Sequence, residues 1–599
     1  MKKKNLCVFT SAVLAIMLLL AACATAPATT PTTTTVPPAT TTAAQETTTT
    51  TAAATTAATT AASGATTNIT EPDSIFSILS APPYVPSPLP AGVEEPTLPI
   101  VDEPLTLTYF IGMDFAKIGV HTDNYAKVAG YAEMAKDTGI TIEFIHPPDG
   151  QSGEKFNLMV ASGDLPDMIF WGWTGVTGGP QKMLDDNIIL PLNDLVDQYA
   201  PYWKNFMDEN PLIKKMSITD DGTLYSFPIV RYKQSTLAPY GWQIRGDWME
   251  AAGWTEPPET IDEWHDFLTD VKEADPAGDG KTIPYAMYQM QNGRGPRIFL
   301  WAYGVEYGWC LDKDGKANFG PYDPVFRDFL TVMSQWYAEG LIDPDFAAIN
   351  TNTAIDAKIA NNEAACWFGG LGDTMGRYIA AYAQDPDSTF YVVPASAPTL
   401  IKGEKGWNFQ FDQLTVGSGA AVTTKSQHPV ESTKWLDYHY SPKGHMQMCW
   451  GVEGLNYNII DGMPVFTDEV VHNPNGWSVD VALGQYAVAV TSDALILDPR
   501  VREYRMWATP VQRDASMLWN GDLGPDRQMP PLTLSSEESE RYYAKMNDIW
   551  TYVHETTTKF IMGQIPMSDY SQYEEQLKSM GIEEMIEIQQ AAVDRYNAR

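Results

Sequence analysis

The sequence predicts an α/β protein in which parallel sheets are covered by helices, and three observations carry that expectation. Strand, helix, strand, helix and strand follow one another within roughly 70 residues from Pro104, the alternation that builds a parallel sheet. The composition, 44% hydrophobic and 11% aromatic over 599 residues, supplies a large core. After the N-terminal stretch, no run of the sequence is long and apolar enough to span a membrane.

The first strand is set by Leu105, Leu107 and Tyr109 alternating with Thr106 and Thr108, a period of two. A helix is expected from Tyr125 to Lys136, ended by Gly139, and the next strand from Thr141 to Ile145. A second helix, Glu154 to Ala161, meets a turn at Ser162-Gly163-Asp164, and Asp167 to Phe170 reads as a short buried strand. Ligands of such sheets sit beyond the carboxyl ends of the strands, where Trp171 and Trp173 fall. Further along, Lys434 to Trp450 reads as helical. Ser536 to Phe560 reads as a long amphipathic helix with a capping box, Ser535 and Glu538, and Ile582 to Tyr596 as a terminal helix beside it.

The N-terminus is a separate unit. Lys2, Lys3 and Lys4 precede an apolar run from Leu6 to Leu20 and then Leu20-Ala21-Ala22-Cys23, the pattern of a secretory signal; roughly 17 apolar residues are marginal for a spanning helix. The tetrad resembles the lipobox of bacterial lipoproteins. That resemblance implies removal of residues 1–22 and lipid on Cys23, with a plain secretory signal or an uncleaved anchor as the alternatives. From Ala24 to Thr67 the chain is almost wholly Thr, Ala and Pro, with Glu46 its only charge. Without large side chains it cannot recover its ordering entropy, so 23–101 is expected to be a disordered tether spanning on the order of 50 Å.

Charge and motifs narrow the function. Against 39 basic side chains stand 75 acidic ones, a formal net charge of −36, so nucleic acid is excluded as a partner. The five cysteines form no C-x-x-C pair, and none of the eight histidines stands in a metal-ligand or triad context. There is no P-loop, G-x-S-x-G, H-E-x-x-H or dinucleotide fingerprint. A glycoside hydrolase using paired carboxylates remains the alternative to a binding protein, because 75 acids always contain candidate pairs. A surface adhesin would account for the tether but not for the motifs that follow.

Those motifs run in order down the chain: Ala161-Ser162-Gly163-Asp164-Leu165-Pro166-Asp167, Leu190-Pro191-Leu192-Asn193-Asp194-Leu195, Asp221-Gly222-Thr223-Leu224-Tyr225, Ile244-Arg245-Gly246-Asp247-Trp248, Pro258-Glu259-Thr260-Ile261, Glu339-Gly340-Leu341-Ile342-Asp343-Pro344 and Gly451-Val452-Glu453-Gly454-Leu455-Asn456-Tyr457. The series resembles family 1 extracellular solute-binding proteins of bacterial ABC importers, in the LipO-like, oligosaccharide-binding branch. The resemblance implies a two-lobe periplasmic-binding-protein-like fold of type II, with parallel-sheet lobes joined by hinge segments. Lobe 1 is expected at 102–230 plus 405–465 and lobe 2 at 231–404 plus 466–599, with crossings near Pro228 to Tyr232, near Val393 to Val416, and after Tyr457. It implies a small-molecule solute, an oligosaccharide, as ligand, an ABC permease in the membrane as partner, a lipid anchor on the extracytoplasmic face, a monomeric protein, and no catalysis.

Sugar rings stack their C–H faces on aromatic rings and need planar polar partners for their hydroxyls. Ligand contact is therefore expected at Trp171, Trp173, Arg231, Tyr232, Trp242, Trp301, Trp367, Trp407, Trp450 and Glu453. Trp248 and Trp264 are expected to be structural, and Arg245 with Asp247 a local ion pair. An acidic ligand is disfavoured by the overall charge, with Arg231 and Arg294 the residues able to reverse that. No cofactor is expected, with one possible metal site: Asp275, Asp279 and Lys281 resemble the start of a calcium loop. Ala277 stands at its third position and Thr282-Ile283-Pro284 follow, so two oxygen donors are missing and a plain Asx/Gly turn is the competing reading.

Overall fold

A computed structural model describes residues 83–599 apart from 233–236, 411, 416, 491 and 492. The signal, Cys23 and most of the tether lie outside the described residues. The last part of the tether does not: Tyr84, Ile100 and Val101 pack on the first core, and the Ile100 N–H donates to the Thr138 carbonyl at 2.9 Å. Unlike the Thr/Ala tract, this strap carries large apolar side chains that find cover.

Thirteen strands are described: β1 Leu105–Phe110, β2 Ile140–Ile145, β3 Met168–Gly172, β4 Phe227–Pro228, β5 Tyr240–Arg245, β6 Ile283–Tyr285, β7 Trp309–Leu311, β8 Ala317–Phe319, β9 Ala364–Gly370, β10 Val392–Ala395, β11 Ser418–Val422, β12 Tyr457–Ile460 and β13 Met463–Phe466. The first sheet has the order β2-β1-β3-β11-β4 and the second β10-β5-β9-β6. The expectation was of parallel sheets, and neither sheet is wholly parallel. Strand β11 runs antiparallel to both β3 and β4, and β5 runs antiparallel to β9 and β10. Both are the strands by which the chain enters a sheet after crossing from the other lobe, so they arrive from the opposite end.

Alternation decides which face of each strand is buried. In the first sheet Leu107, Tyr109, Met168 and Val422 enter one core, while Phe110, Ile169 and Ala421 enter a smaller one on the other face. In the second, Trp242, Ile244 and Phe368 face one core and Ala364, Trp367 and Val392 the other. The early helices form at Ala129–Thr138, ended by Gly139 at φ 73°, and at Ser152–Ser162. The expected start at Tyr125 is instead a 3-10 turn, Tyr125–Lys127, because Val128 adopts an extended conformation and breaks the helix. Lys434 to Trp450 likewise divides into Pro429–Tyr438 and Pro442–Cys449, since Pro442 cannot continue a helix and Ser441 caps the next one.

The chain crosses between sheets after β4, after β10, and a third time around Met506 to Pro510. Before that third crossing, Val470, Leu483, Val501 and Tyr504 all pack in the first core. The stretch from Phe466 to Tyr504, expected in lobe 2, thus packs with lobe 1, because the apolar residues after β13 continue to cover the first sheet. Conversely, Trp407 and Phe409 pack on the second core rather than the first. After the crossing, Trp519 of the helix Pro510–Gly521 lies flat on Gly241 of β5, where a Cβ would come within 2.0 Å of its ring.

Candidate functional site

The crossing segments are tied to one another at the carboxyl ends of the first sheet. The Arg231 N–H donates to the Leu414 carbonyl at 2.9 Å, and Val230 exchanges backbone hydrogen bonds with Leu495 and Leu497 at 2.8 Å each. Here a cavity of about 450 Å³ opens, with Ile111, Met113, Phe170 and Ile229 as its apolar wall.

Its polar wall is a chain of charges. Asp412, on the second crossing, pairs with Arg502 and lies 3.5 Å from Arg231. Arg505 pairs with Asp480 and donates to the Ala489 carbonyl at 2.6 Å. Lys117 reaches Asp114 at 3.2 Å and the Val490 carbonyl at 2.9 Å. Burial pushes the Arg502 guanidinium down from its ordinary value, with the Asp412 carboxylate opposing. Since arginine does not lose its proton in proteins, that direction means a charge whose desolvation is only partly compensated.

The helix Pro499–Met506 holds Arg502 and Arg505 in place, and Asp498 caps it. The Asp498 carboxylate accepts from the N–H groups of Arg500 at 2.9 Å and Val501 at 3.3 Å, from Trp450 Nε1 at 3.0 Å and from the Tyr84 N–H at 3.0 Å. One carboxylate thus joins the strap, the first core and the helix that carries the site's arginines.

On the other side of the second crossing, Gln413 contributes to a neighbouring cavity of about 330 Å³. Thr174 and Gly179 of the first lobe line it together with Trp309, Tyr542, Tyr543 and Gln589 of the second. Trp309 Nε1 donates to the Tyr542 hydroxyl at 2.7 Å, and Gln413 Nε2 to the Met529 carbonyl at 2.8 Å. Aromatic faces beside amides are the chemistry that sugar rings and hydroxyls require.

The expected ligand residues distribute unevenly. Arg231 lines the charged cavity. Trp171 is half-buried at the end of β3, stacked on Phe156 with ring centroids 4.2 Å apart. Trp407 is half-buried between lobe-2 loops, with Arg527 5.5 Å from its ring, and Glu453 is exposed on a turn. Tyr232 packs edge-on against Phe206 and Tyr84 under the strap. Trp173, Trp242, Trp301, Trp367 and Trp450 are core residues, fully buried, with no face for a ligand. Their indole N–H groups show why they were drawn inward. Trp173 donates to the Gly419 carbonyl, Trp301 to Glu306, Trp367 to Gln243 and Trp450 to Asp498, whereas Trp242 is held by packing on Trp301 and Phe368. Trp248 and Trp264 are buried, and Arg245 forms its fork with Asp247 at 3.1 and 2.6 Å.

The sequence reading missed Lys117, Asp412, Arg502, Arg505 and the aromatic set Trp309, Tyr542 and Tyr543. One signal was available: Asp498-Pro499 is an N-cap followed by proline at the first helical position, which marks the helix presenting both arginines.

The Asp275 loop does not fit calcium. Its carboxylate already accepts from the Gly280 N–H at 2.8 Å and the Thr282 hydroxyl at 2.7 Å, Ala277 offers no side-chain oxygen, and Asp279 is exposed beside Lys281 at 3.8 Å. It is a closed Asx turn. Among the described residues no cluster of three or more His, Cys, Asp or Glu is arranged to hold a metal. An arrangement resembling a catalytic triad, Cys449 3.8 Å from His445 and His445 3.3 Å from Asp498, is fully buried, and the Cys449 thiol donates to the Ile496 carbonyl.

Residues 119–446 match the family model described as bacterial extracellular solute-binding protein. The fructooligosaccharide ABC transporter substrate-binding protein FusA of Streptococcus pneumoniae is 23% identical over 487 residues, 78% of this chain and 86% of that protein. Lipoprotein LipO of Bacillus subtilis is 24% identical over 472 residues, 76% of this chain and 86% of LipO. Among solved structures, the alginate-binding protein AlgQ2 without calcium ion superposes with a TM-score of 0.66 at 25% identity, covering 82% of this chain and 99% of AlgQ2. FusA in complex with kestose gives 0.65 at 19%, with 82% and 99% covered.

Proposed function

The chain belongs to the bacterial extracellular solute-binding protein family, and we propose that it is the lipid-anchored binding component of an ABC importer, capturing an oligosaccharide between its lobes. The observation that carries this reading is the cavity beside Gln413, where Thr174 and Gly179 of the first lobe face Trp309, Tyr542, Tyr543 and Gln589 of the second, with the charged cavity of the first lobe and the crossings adjoining it at Asp412. Ligands named for FusA and AlgQ2, fructooligosaccharide and alginate, support a saccharide.

Capture needs no bond making. A solute touching both lobes favours the closed arrangement by its differential contacts, and the crossing segments absorb the rotation. Trp309, Tyr542 and Tyr543 offer ring faces, Gln413 and Gln589 donors and acceptors, and the arginines fix orientation. The closed form then presents the solute to a membrane permease. LipO, a lipoprotein by name, supports an anchor at Cys23 that keeps the protein beside that permease.

The test is to add an oligosaccharide panel to the purified protein and follow tryptophan fluorescence together with sugar chromatography. A saturable fluorescence change with intact sugars is expected. Release of new reducing ends, or no response to any sugar, would overturn the reading.

A further inference from the structure

The charged cavity holds a selectivity that sugar binding alone does not require, and the inference rests on that cavity being part of the solute site. Its lining carries four cations, Lys117, Arg231, Arg502 and Arg505, against two carboxylates, Asp114 and Asp412. Asp480 stands behind them, paired with Arg505 and 4.0 Å from Lys117. With Asp480 included the cluster still has positive charge in excess, inside a chain of formal net charge −36.

The shortage of anions is local and specific. Asp412 is shared between Arg231 and Arg502. Arg502 is 5% exposed, and among the described residues its Nε has no hydrogen-bond partner, while the buried Arg231 Nε has only the Asp412 carboxylate, 3.5 Å away. A desolvated guanidinium stays charged, and its planar fork matches a carboxylate with two acceptor oxygens at once. A neutral hydroxyl supplies one acceptor and no charge, leaving the excess uncompensated. The acidic exterior does not prevent this, because exposed charges are screened beyond about 8 Å at physiological salt whereas buried pairs are not.

We infer that the cleft selects an acidic oligosaccharide, one whose sugar carries a carboxylate of the uronate type, with Arg231 and Arg502 as its recognition pair. Arg505 and Lys117, both also bonded to backbone carbonyls, hold the field around that pair. The chain's overall acidity, which the sequence reading set against an acidic ligand, is a property of its surface rather than of this cavity.

The experiment is titration calorimetry of the purified full-length chain with matched tri- to pentasaccharides, each a neutral hexose oligomer and its uronate counterpart of the same linkage. Salt is varied from about 50 mM to about 300 mM. The uronate member is expected to bind at least about tenfold tighter at low salt, the margin narrowing at high salt. Arg231→Gln and Arg502→Gln should each erase most of that margin; should buried Arg502 prove essential to folding, Arg231→Gln and the wild-type comparison decide. Equal affinity for both members, or preference for the neutral one, overturns the acidic selectivity and leaves saccharide capture standing. Heat from neither overturns both.

Discussion

Asp437 shows what burial does to a single side chain. It accepts from the backbone N–H groups of Trp203 at 2.8 Å and Tyr202 at 3.3 Å, yet its desolvation outweighs them and its carboxyl is pushed up to about 8 from 3.8. Between those values the native state holds a proton that the unfolded chain has released. This group's contribution to stability is therefore largest at the acid end and falls as pH rises from about 4 to about 8. Asp437→Asn, neutral at every pH, should gain on the wild type over that window by about 5 °C or more in melting temperature, measured by calorimetry across the pH series. A constant difference would argue against the shift. The indoles teach a related lesson. Trp242 and Trp171 were equally plausible ligand platforms in the sequence, and only packing separates them: Trp242 is walled in by Trp301 and Phe368, Trp171 sits at a strand end. Trp242→Ala should destabilise by about 3–5 kcal/mol in urea unfolding.

At the scale of elements, local chemistry was legible and breaks were less so. The capping box at Ser535 and Glu538 is present as read, with Ser535 N–H to Glu538 at 2.9 Å and the reverse bond at 3.2 Å, and it opens the helix Ser536–Ile561. Ser535→Ala should cost about 0.5–2 kcal/mol, measured by denaturant melts. The strand at Leu105, the turn at Gly139 and the terminal helix were all visible because periodicity and αL glycine report directly on backbone. The break at Val128 was not, since valine is permissible in a helix and stops one only in context, whereas Ser441-Pro442 did carry a readable stop and restart that the expectation of one continuous helix passed over. Close approach is similarly invisible: nothing in the letters of β5 says that Trp519 will cover Gly241. Gly241→Ala should cost about 1–3 kcal/mol by overpacking.

Across the whole molecule, the motif series was enough for two lobes but not for their division or their site. The third crossing lies at Met506 to Pro510 because the residues from Phe466 to Tyr504 still cover the first sheet, a long-range choice that no local motif encodes. The charged site is drawn from residues 117, 231, 412, 502 and 505, so its assembly depends on the crossings and not on any one segment. The lobes meet away from that site. Arg595 of the last helix and Arg599 just after it pair with Asp220 of the first lobe, and the Gly178 N–H donates to Ser539 at 2.6 Å. These ties hold the lobes near each other, and motion about the crossings must loosen them. The most direct measurement of interlobe capture is therefore a distance: fluorescence energy transfer between labels at Glu154→Cys on the first lobe and Asp385→Cys on the second, both exposed positions, as saccharide is added. The account predicts a saturable shortening that tracks the binding isotherm; an unchanged distance at full occupancy would contradict it.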